Sequence, residues 1–245
     1  MAELTGSKDG SKDGPKDDSK ALEQVFTFLK AKDDTSRFVG LSLLRSILDA
    51  NEELRNDEEI IKKCWTAVPN KFLIRLLKTG GTNTEETKNM NQLAVAVVHT
   101  FANLLPADQV SDKKMFELVE PLAKVTPGLD AAPQMLAFQA LLCIVSSSAG
   151  AHVFARASCH GGLSHALSSD DGRYLREYLK LYDLAWSAAH EQELRSFLTK
   201  TLLGAVESLQ DSGLLVEALG AMVTQLHVGY GLYGWFYTIE EADSR

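Results

Sequence analysis

The stretch LKAKDDTSRFVGLSLLRSIL, residues Leu29 to Leu48, decides the fold class of this chain. After Asp34, its apolar residues fall at helical spacing and not at the alternating spacing of a strand. One stripe consists of Phe38, Leu41, Leu44 and Leu48, and a second stripe beside it consists of Val39, Leu43 and Ile47. Together the stripes span more than half of a helix circumference. The pattern therefore predicts an α-helix that is covered by protein on two sides.

Two neighbouring carboxylates, Asp33 and Asp34, precede this helix and admit two interpretations. A pair of carboxylates can carry out acid–base catalysis. At the start of a helix, however, a short side-chain oxygen accepts hydrogen bonds from the free N–H groups of the first turn, and a carboxylate suits the positive end of the helix dipole. Because Asp33, Asp34 and Thr35 lie where the helix begins, we interpret them as the corner between two helices.

The same 3.6-residue periodicity recurs from Lys20 to about Leu226, without sustained strand alternation. The 6 prolines are expected at or near helix ends. Broad apolar helices that recur in pairs about every 40 residues are typical of stacked helix pairs. We therefore predict an all-α, armadillo/HEAT-like α-α superhelix, or solenoid, of roughly ten helices. No repeated consensus is visible, so the repeat prediction depends on periodicity alone.

Local signals predict several helix boundaries. Asn56 or Asp57 is expected to cap one helix, and Thr82 to Glu85 fits a capping box before a long helix. Ser111 is expected to open the next helix. The pair Gly161 and Gly162 is expected to form a sharp chain reversal with positive φ.

The chain is predicted to divide into three parts. Residues 1–19, MAELTGSKDGSKDGPKDDS, are expected to be a disordered low-complexity arm because they carry almost no apolar surface. Residues 20–227 are expected to form the helical-repeat domain. Residues 228–245 form a tail rich in Gly and aromatic residues, interpreted either as a cap that folds back or as the non-native end of a truncated chain. The second interpretation, which we favour, predicts weak self-association through the C-terminal end.

Composition narrows the classes of function. The 245 residues carry a formal net charge of -8 and no prominent basic patch, so nucleic acid is not an expected partner. The longest near-apolar run, Met135 to Val145, is about half the length of a membrane span, so no transmembrane segment is expected. Three distant cysteines, Cys64, Cys143 and Cys159, indicate reduced thiols. With no visible secretory signal, we expect a cytoplasmic protein.

Several residue clusters could suggest chemistry, but each has a structural interpretation that we favour. The residue types of a zinc site and of a hydrolytic triad both occur among the polar residues His152, Cys159, His160, Ser164, His165, Asp170 and Asp171. Their spacing lacks the paired short intervals of a zinc finger and the elbow motif of a serine hydrolase. An aromatic stripe, Tyr178, Tyr182 and Trp186, is interpreted as core, and Lys113 and Lys114 as a solvated face. We therefore expect no catalytic, cofactor-binding or metal-binding residue.

Three segments resemble the neurochondrin family in the order in which they occur. The most specific is LEQVFTFLKAKDDTSRFVGLSLLRSIL, where a K-x-D-D corner precedes an Arg-Phe that enters a Leu-rich helix. CWTAVPNKFLIRLLKT is similar to an aromatic and Leu-rich segment of the family, and FARASCHGGLSHAL to its Gly-Gly step. The resemblance covers roughly residues 21–225. It implies a cytosolic armadillo-like α-solenoid without known catalytic residues, of which this chain matches the N-terminal part.

The resemblance further implies a function through protein partners, because family members act as adaptors or regulators, in animals in neuronal signalling and neurite growth. We therefore expect a non-enzymatic interaction scaffold, whose partners and binding residues are unknown. Two alternatives remain open. One is a truncated or degenerate product without independent function. The other is a small helical ligand-binding protein or enzyme, which would require a pocket with strongly perturbed titratable groups.

Overall fold

The computed structural model describes residues 16–79, 84–110, 112–168, 172–189 and 192–207, together with residue 220. Within these ranges the chain forms α-helices and one short 3-10 helix, and no residue lies in a β-strand. The all-α prediction is therefore confirmed. The chain divides into two compact units, residues 1–69 and residues 70–245.

The first unit contains four helices: α1 (Lys16–Leu29), α2 (Asp34–Ala50), α3 (Glu52–Asn56) and α4 (Glu58–Ala67). α1 packs along α2, the short α3 links α2 to α4, and α4 packs back on α1. Their shared core contains the buried residues Leu22, Val25, Leu29, Leu41, Leu44, Leu48, Ile61, Cys64 and Trp65. The 3.6-residue spacing of these residues brings each set to one face of its helix, as the sequence predicted.

Short polar side chains set the boundaries inside the first unit. Asn51 Oδ1 accepts a hydrogen bond from the Leu54 N–H at 3.1 Å and begins α3. Asp57 Oδ1 accepts one from the Ile60 N–H at 3.0 Å and begins α4, which confirms the second of the two predicted caps. α1 begins at Lys16, so the predicted boundary after residue 19 falls within this helix, while residues 1–15 lie outside the described residues.

The second unit contains eight described helices: α5 (Asn70–Lys78), α6 (Glu85–Leu104), α7 (Ala107–Val110), α8 (Lys113–Val125), α9 (Ala131–Val145), α10 (Ser148–Ser168), α11 (Gly172–Ala188) and α12 (Gln192–Glu207). Seven of these helices, all except the four-residue α7, stack in two layers. One layer is α5, α8, α10 and α12, and the other is α6, α9 and α11. Successive members of each layer pack side by side, and α5–α6, α8–α9 and α10–α11 pair across the layers.

This arrangement is a stack of helix pairs. The four helices of the first layer begin at residues 70, 113, 148 and 192, an interval of about 40 residues. The predicted armadillo/HEAT-like pairing is therefore confirmed. A helix in the middle of the stack is covered by its partner helix and by the neighbouring pairs. This explains why α9 is apolar on nearly all sides.

Three predicted local features are wrong. Gly161 and Gly162 lie inside α10, because the packing of this long helix on α8, α11 and α12 outweighs the low helix propensity of glycine. Pro121 lies inside α8 and not near a helix end. The capping box of α6 pairs Thr84 with Thr87, not Thr82 with Glu85.

Asp112, not Ser111, caps α8: its Oδ1 accepts from the Met115 N–H at 2.8 Å. The predicted helix over residues 212–226 and the tail over residues 228–245 lie outside the described residues. The three-part division of the chain therefore stays a prediction.

Candidate partner-binding surfaces

The corner between α1 and α2 uses the carboxylate pair for structure. Asp33 Oδ1 accepts a hydrogen bond from the Ser36 N–H at 2.7 Å, and this bond lowers the pKa of the Asp33 carboxyl. Arg37 Nε donates to the Ala31 carbonyl oxygen at 2.8 Å, and Arg37 Nη1 lies 3.2 Å from Asp34 Oδ1. The interpretation of this stretch as a helix corner is therefore confirmed.

The apolar residues of α2 divide into a buried stripe and an exposed one. Leu41, Leu44 and Leu48 are almost fully buried. Val39 and Leu43, four residues apart, are 41% and 40% exposed, whereas Ile47 is half-buried. The prediction that both stripes are covered is therefore wrong for two of the three residues of the second stripe. α1 packs against the Gly40 side of α2, and the two helices approach so closely that a Cβ at Gly40 would lie 3.0 Å from the Phe28 Cβ.

Phe28 of α1 is itself 37% exposed. Its Cβ lies beside Gly40, which falls between Val39 and Leu43 in the sequence of α2. These three side chains, Phe28, Val39 and Leu43, form what we call the outer stripe. Single exposed apolar residues are ordinary, but a cluster on adjoining helices can mark an interaction site.

The residues considered as zinc ligands lie along one helix, α10. His152 and His165 both lie in α10, and thirteen residues of helix separate them by about 20 Å. This distance is too great for both to bind one metal ion. The side chains of Cys159 and His160 lie outside the described residues, and within those residues no three His, Cys, Asp or Glu side chains form a group that could hold a metal ion.

The two described histidines differ in their surroundings. The His152 Nδ1 is buried without a hydrogen-bond partner among the described residues, and the exposed His165 ring lies edge-on to Tyr174 with centroids 5.3 Å apart. The remaining members of the hypothetical triad, namely the side chain of Ser164 and residues Asp170 and Asp171, lie outside the described residues. The expectation that these residues are not catalytic therefore stays a prediction.

The aromatic stripe of α11 is core, as predicted. Tyr178, Tyr182 and Trp186 are all buried. The Tyr182 hydroxyl donates to the Leu198 carbonyl oxygen, and Trp186 Nε1 donates to Thr199 Oγ1 at 3.2 Å. The polar atoms of Tyr182 and Trp186 therefore fix α12 against α11.

The predicted solvated face at the start of α8 is wrong for one of its two lysines. Lys113 is exposed, but Lys114 is half-buried. Loss of solvation lowers the pKa of the Lys114 amine to about 8, and the nearby Asp112 carboxylate limits the fall. The sequence pattern could not separate the two residues, because only the packing of α8 determines which of them is partly covered.

A cleft of about 280 Å³ lies where the end of α5, the start of α6 and the end of α8 meet. Its apolar lining includes Leu77, Pro121 and Val125, and its charged lining includes Lys78, Lys88, Lys124 and Asp130. Asn91, which is only 6% exposed, also lines it. Sequence analysis missed this cleft because its lysines come from three helices and have no characteristic spacing. We call it the lysine cleft.

No helix in the described ranges is long and apolar enough to cross a lipid bilayer. The fold and the exposed surfaces together define a helical-repeat protein built from stacked pairs. The chain belongs to the Neurochondrin family, because the sequence model of that family matches residues 16–199.

Comparisons with individual proteins agree with a helical-repeat fold. An uncharacterized protein of Schizosaccharomyces pombe is 45% identical over 56 residues, which are 23% of this chain and 9% of the yeast protein. Two engineered proteins solved by the Northeast Structural Genomics Consortium each align with 86% of this chain. One has a TM-score of 0.56 at 19% identity over 48% of its length, and the other 0.50 at 16% identity over 98% of its length. This chain therefore spans less than a tenth of the yeast relative and about half of the first engineered protein.

Proposed function

We propose that this chain is a non-enzymatic, cytoplasmic protein-interaction scaffold or adaptor of the neurochondrin type. The observation that carries the proposal is the outer stripe. Family membership and the fold of stacked helix pairs support it, because such folds present exposed helix faces to partner segments.

The outer stripe is suited to the apolar face of an amphipathic helix. Val39 and Leu43 are four positions apart, so they form part of one i±4 ridge of α2. Two helices pack by placing such a ridge in the groove of the neighbour, and Phe28 widens the apolar surface on the α1 side. We therefore propose that a partner protein places one helix along α2.

The test compares two variants of the full chain in quantitative affinity capture. Val39→Glu combined with Leu43→Glu places charge in the outer stripe, while Thr66→Glu adds charge at an exposed position of α4, outside the outer stripe. The proposal expects that the double variant loses a defined set of partner proteins that Thr66→Glu retains. Both variants should keep the thermal stability of the wild type, because all three positions are exposed. Equal recovery of all partners by the two variants would contradict the proposal.

A further inference from the structure

The lysine cleft combines an apolar lining, cationic groups and a buried polar side chain. Lys78 comes from the last turn of α5, Lys88 from the first part of α6 and Lys124 from the last turn of α8. We propose that this cleft binds an anionic side chain, a carboxylate or a phosphate, on a peptide segment of a partner protein. The inference concerns a second surface and rests on the proposed function only in taking a protein as the partner.

The cationic groups can turn toward a ligand. Lys124 Nζ lies 2.6 Å from Glu120 Oε1, and Lys88 Nζ lies 3.7 Å from Glu85 Oε1. Each pair lies within a single helix and is largely solvent-exposed, so it contributes little free energy. The lysine can therefore exchange its carboxylate partner for an incoming anion. Lys78 forms no salt bridge with a described residue, so a ligand need not displace a directly paired carboxylate from it. The Glu120 carboxyl, whose pKa is lowered first by its hydrogen bond to Lys124, also feels the charge of Lys78.

The nearby carboxylates limit the strength of such binding. Glu85, Glu120 and Asp130 balance the three lysines in formal charge. A free anion is therefore expected to bind weakly and to lose affinity with added salt. A peptide gains further affinity from the apolar lining at Leu77, Pro121 and Val125, which covers the neighbours of its charged residue.

Asn91 supplies a directional contact inside the cleft. Its Oδ1 lies 3.4 Å from Thr79 Oγ1, but that hydroxyl also donates to the Leu76 carbonyl oxygen at 2.6 Å. No described residue accepts a hydrogen bond from Asn91 Nδ2. The Asn91 amide is thus a largely buried donor that remains available to an oxygen of the ligand.

The other amide at the cleft is already used. Gln92 Nε2 donates to Asp130 Oδ2 at 3.4 Å, and Asp130 makes no side-chain hydrogen bond to the first turn of α9. A donor at Asn91 and a cation at Lys78 therefore define the two contacts that an anionic group would make first.

The test is a titration of the ¹⁵N-labelled full chain in which the NMR signals of the Asn91 side-chain amide are monitored. The probes are three peptides, acetyl-Leu-X-Leu-amide with phosphoserine, glutamate or serine as X, and inorganic phosphate, all at constant ionic strength. We expect the phosphoserine or glutamate peptide to shift the Asn91 signals at lower concentration than the serine peptide or inorganic phosphate. Lys78→Gln should weaken that binding roughly threefold, the scale of one exposed charge pair.

Lys113→Gln is the matched control, because Lys113 is an exposed lysine of the same unit that does not line the cleft. It should leave the affinity unchanged. Three results would overturn the inference: no shift with either anionic peptide, equal shifts with the serine peptide, or equal affinity for inorganic phosphate, which would show an adventitious ion only. Because the outer stripe lies outside the cleft, none of these results would remove the proposed function.

Discussion

Arg37 and Arg195 make the same hydrogen bond in the two units. Each Nε donates to the carbonyl oxygen of the alanine six residues earlier, Ala31 at 2.8 Å and Ala189 at 2.6 Å. Each arginine is the fourth residue of the helix that follows the corner. The two helix corners thus share a contact that holds the end of one helix against the start of the next, although the sequence shows no repeat consensus.

Replacing either arginine with lysine should destabilise the chain. Arg37→Lys and Arg195→Lys keep the charge but remove the Nε–H that reaches the carbonyl oxygen, so we expect each to cost about 1–2 kcal/mol. Arg195→Lys also weakens a contact with Trp186, whose ring centre lies 5.0 Å from the guanidinium carbon. Urea denaturation measures the change.

Arg45→Lys is the matched control, because the Arg45 side chain is 41% exposed and its ion pair with Asp49, at 3.4 Å, spans a single turn of one helix. It should change the free energy of unfolding by less than about 0.5 kcal/mol. If all three variants are equally stable, the corner contact contributes nothing particular to the fold.

The helices and most of their corners could be predicted from the sequence, because both depend on local signals. The apolar spacing of α2 and the capping oxygens of Asp33 and Asp57 lie within a few residues of the structure they determine. The exposure of Val39 and Leu43 could not be predicted in this way. It depends on how far α1 reaches across α2, which is a property of packing between helices.

The lysine cleft shows the same limit more strongly. Lys78, Lys88 and Lys124 become neighbours only when α5, α6 and α8 stack. The error at Gly161 and Gly162 has a different cause, because glycine is compatible with a helix whenever neighbouring helices supply the stabilisation.

A series of glycine variants tests how closely the helices approach. A Cβ at Gly40 would lie 3.0 Å from the Phe28 Cβ and 3.1 Å from the Leu29 backbone nitrogen, so Gly40→Ala should cost about 1–3 kcal/mol. A Cβ at Gly150 would overlap the Ile144 carbonyl oxygen, so Gly150→Ala should cost more.

Gly128→Ala is the control for this series, because no atom beyond its chain neighbours lies within 4 Å of the added Cβ. Its free energy of unfolding should stay within about 0.5 kcal/mol of the wild type. Guanidinium denaturation of the three variants should reproduce this order. A Gly40→Ala variant as stable as Gly128→Ala would show that α1 and α2 can move apart without loss.

The half-buried Lys114 predicts a pH-dependent contribution to stability. The pKa of Lys114 is about 8 in the folded chain, against 10.5 for an ordinary lysine, so the unfolded chain binds this proton more tightly. Stability from this group should therefore rise as the pH increases from about 8 to 10.5. Lys114→Met should be more stable than the wild type at pH 7, and the difference should shrink toward pH 10.5.

Other groups titrate in the same interval, so the comparison with the variant is what isolates Lys114. Burial raises the pKa of the Cys64 thiol to about 11, which opposes the Lys114 effect, but it does so equally in both chains. A stability difference that stays constant between pH 7 and 10.5 would contradict the account of Lys114.

The two described thiols should react at different rates. Cys64 is buried in the first unit, whereas Cys143 is half-buried and its thiol donates to Asn103 Oδ1 at 3.5 Å. In a Cys159→Ser chain, we expect a disulfide reagent to modify Cys143 first and Cys64 only as the first unit opens. Stopped-flow absorbance at pH 8 separates the two phases, and modification of both thiols at one rate would contradict the packing described for Cys64.

The central claim is that a partner helix binds the outer stripe of α2, and site-specific photo-crosslinking tests it most directly. A benzophenone amino acid is placed at residue 39 of α2 in one chain and at residue 66 of α4 in a second, both exposed positions of the first unit. The claim predicts that the probe at residue 39 forms crosslinks to partner proteins, with the crosslinked peptides belonging to an amphipathic helix, and that the probe at residue 66 does not. Equal crosslinking from the two positions, or crosslinks from neither in the presence of captured partners, would contradict it.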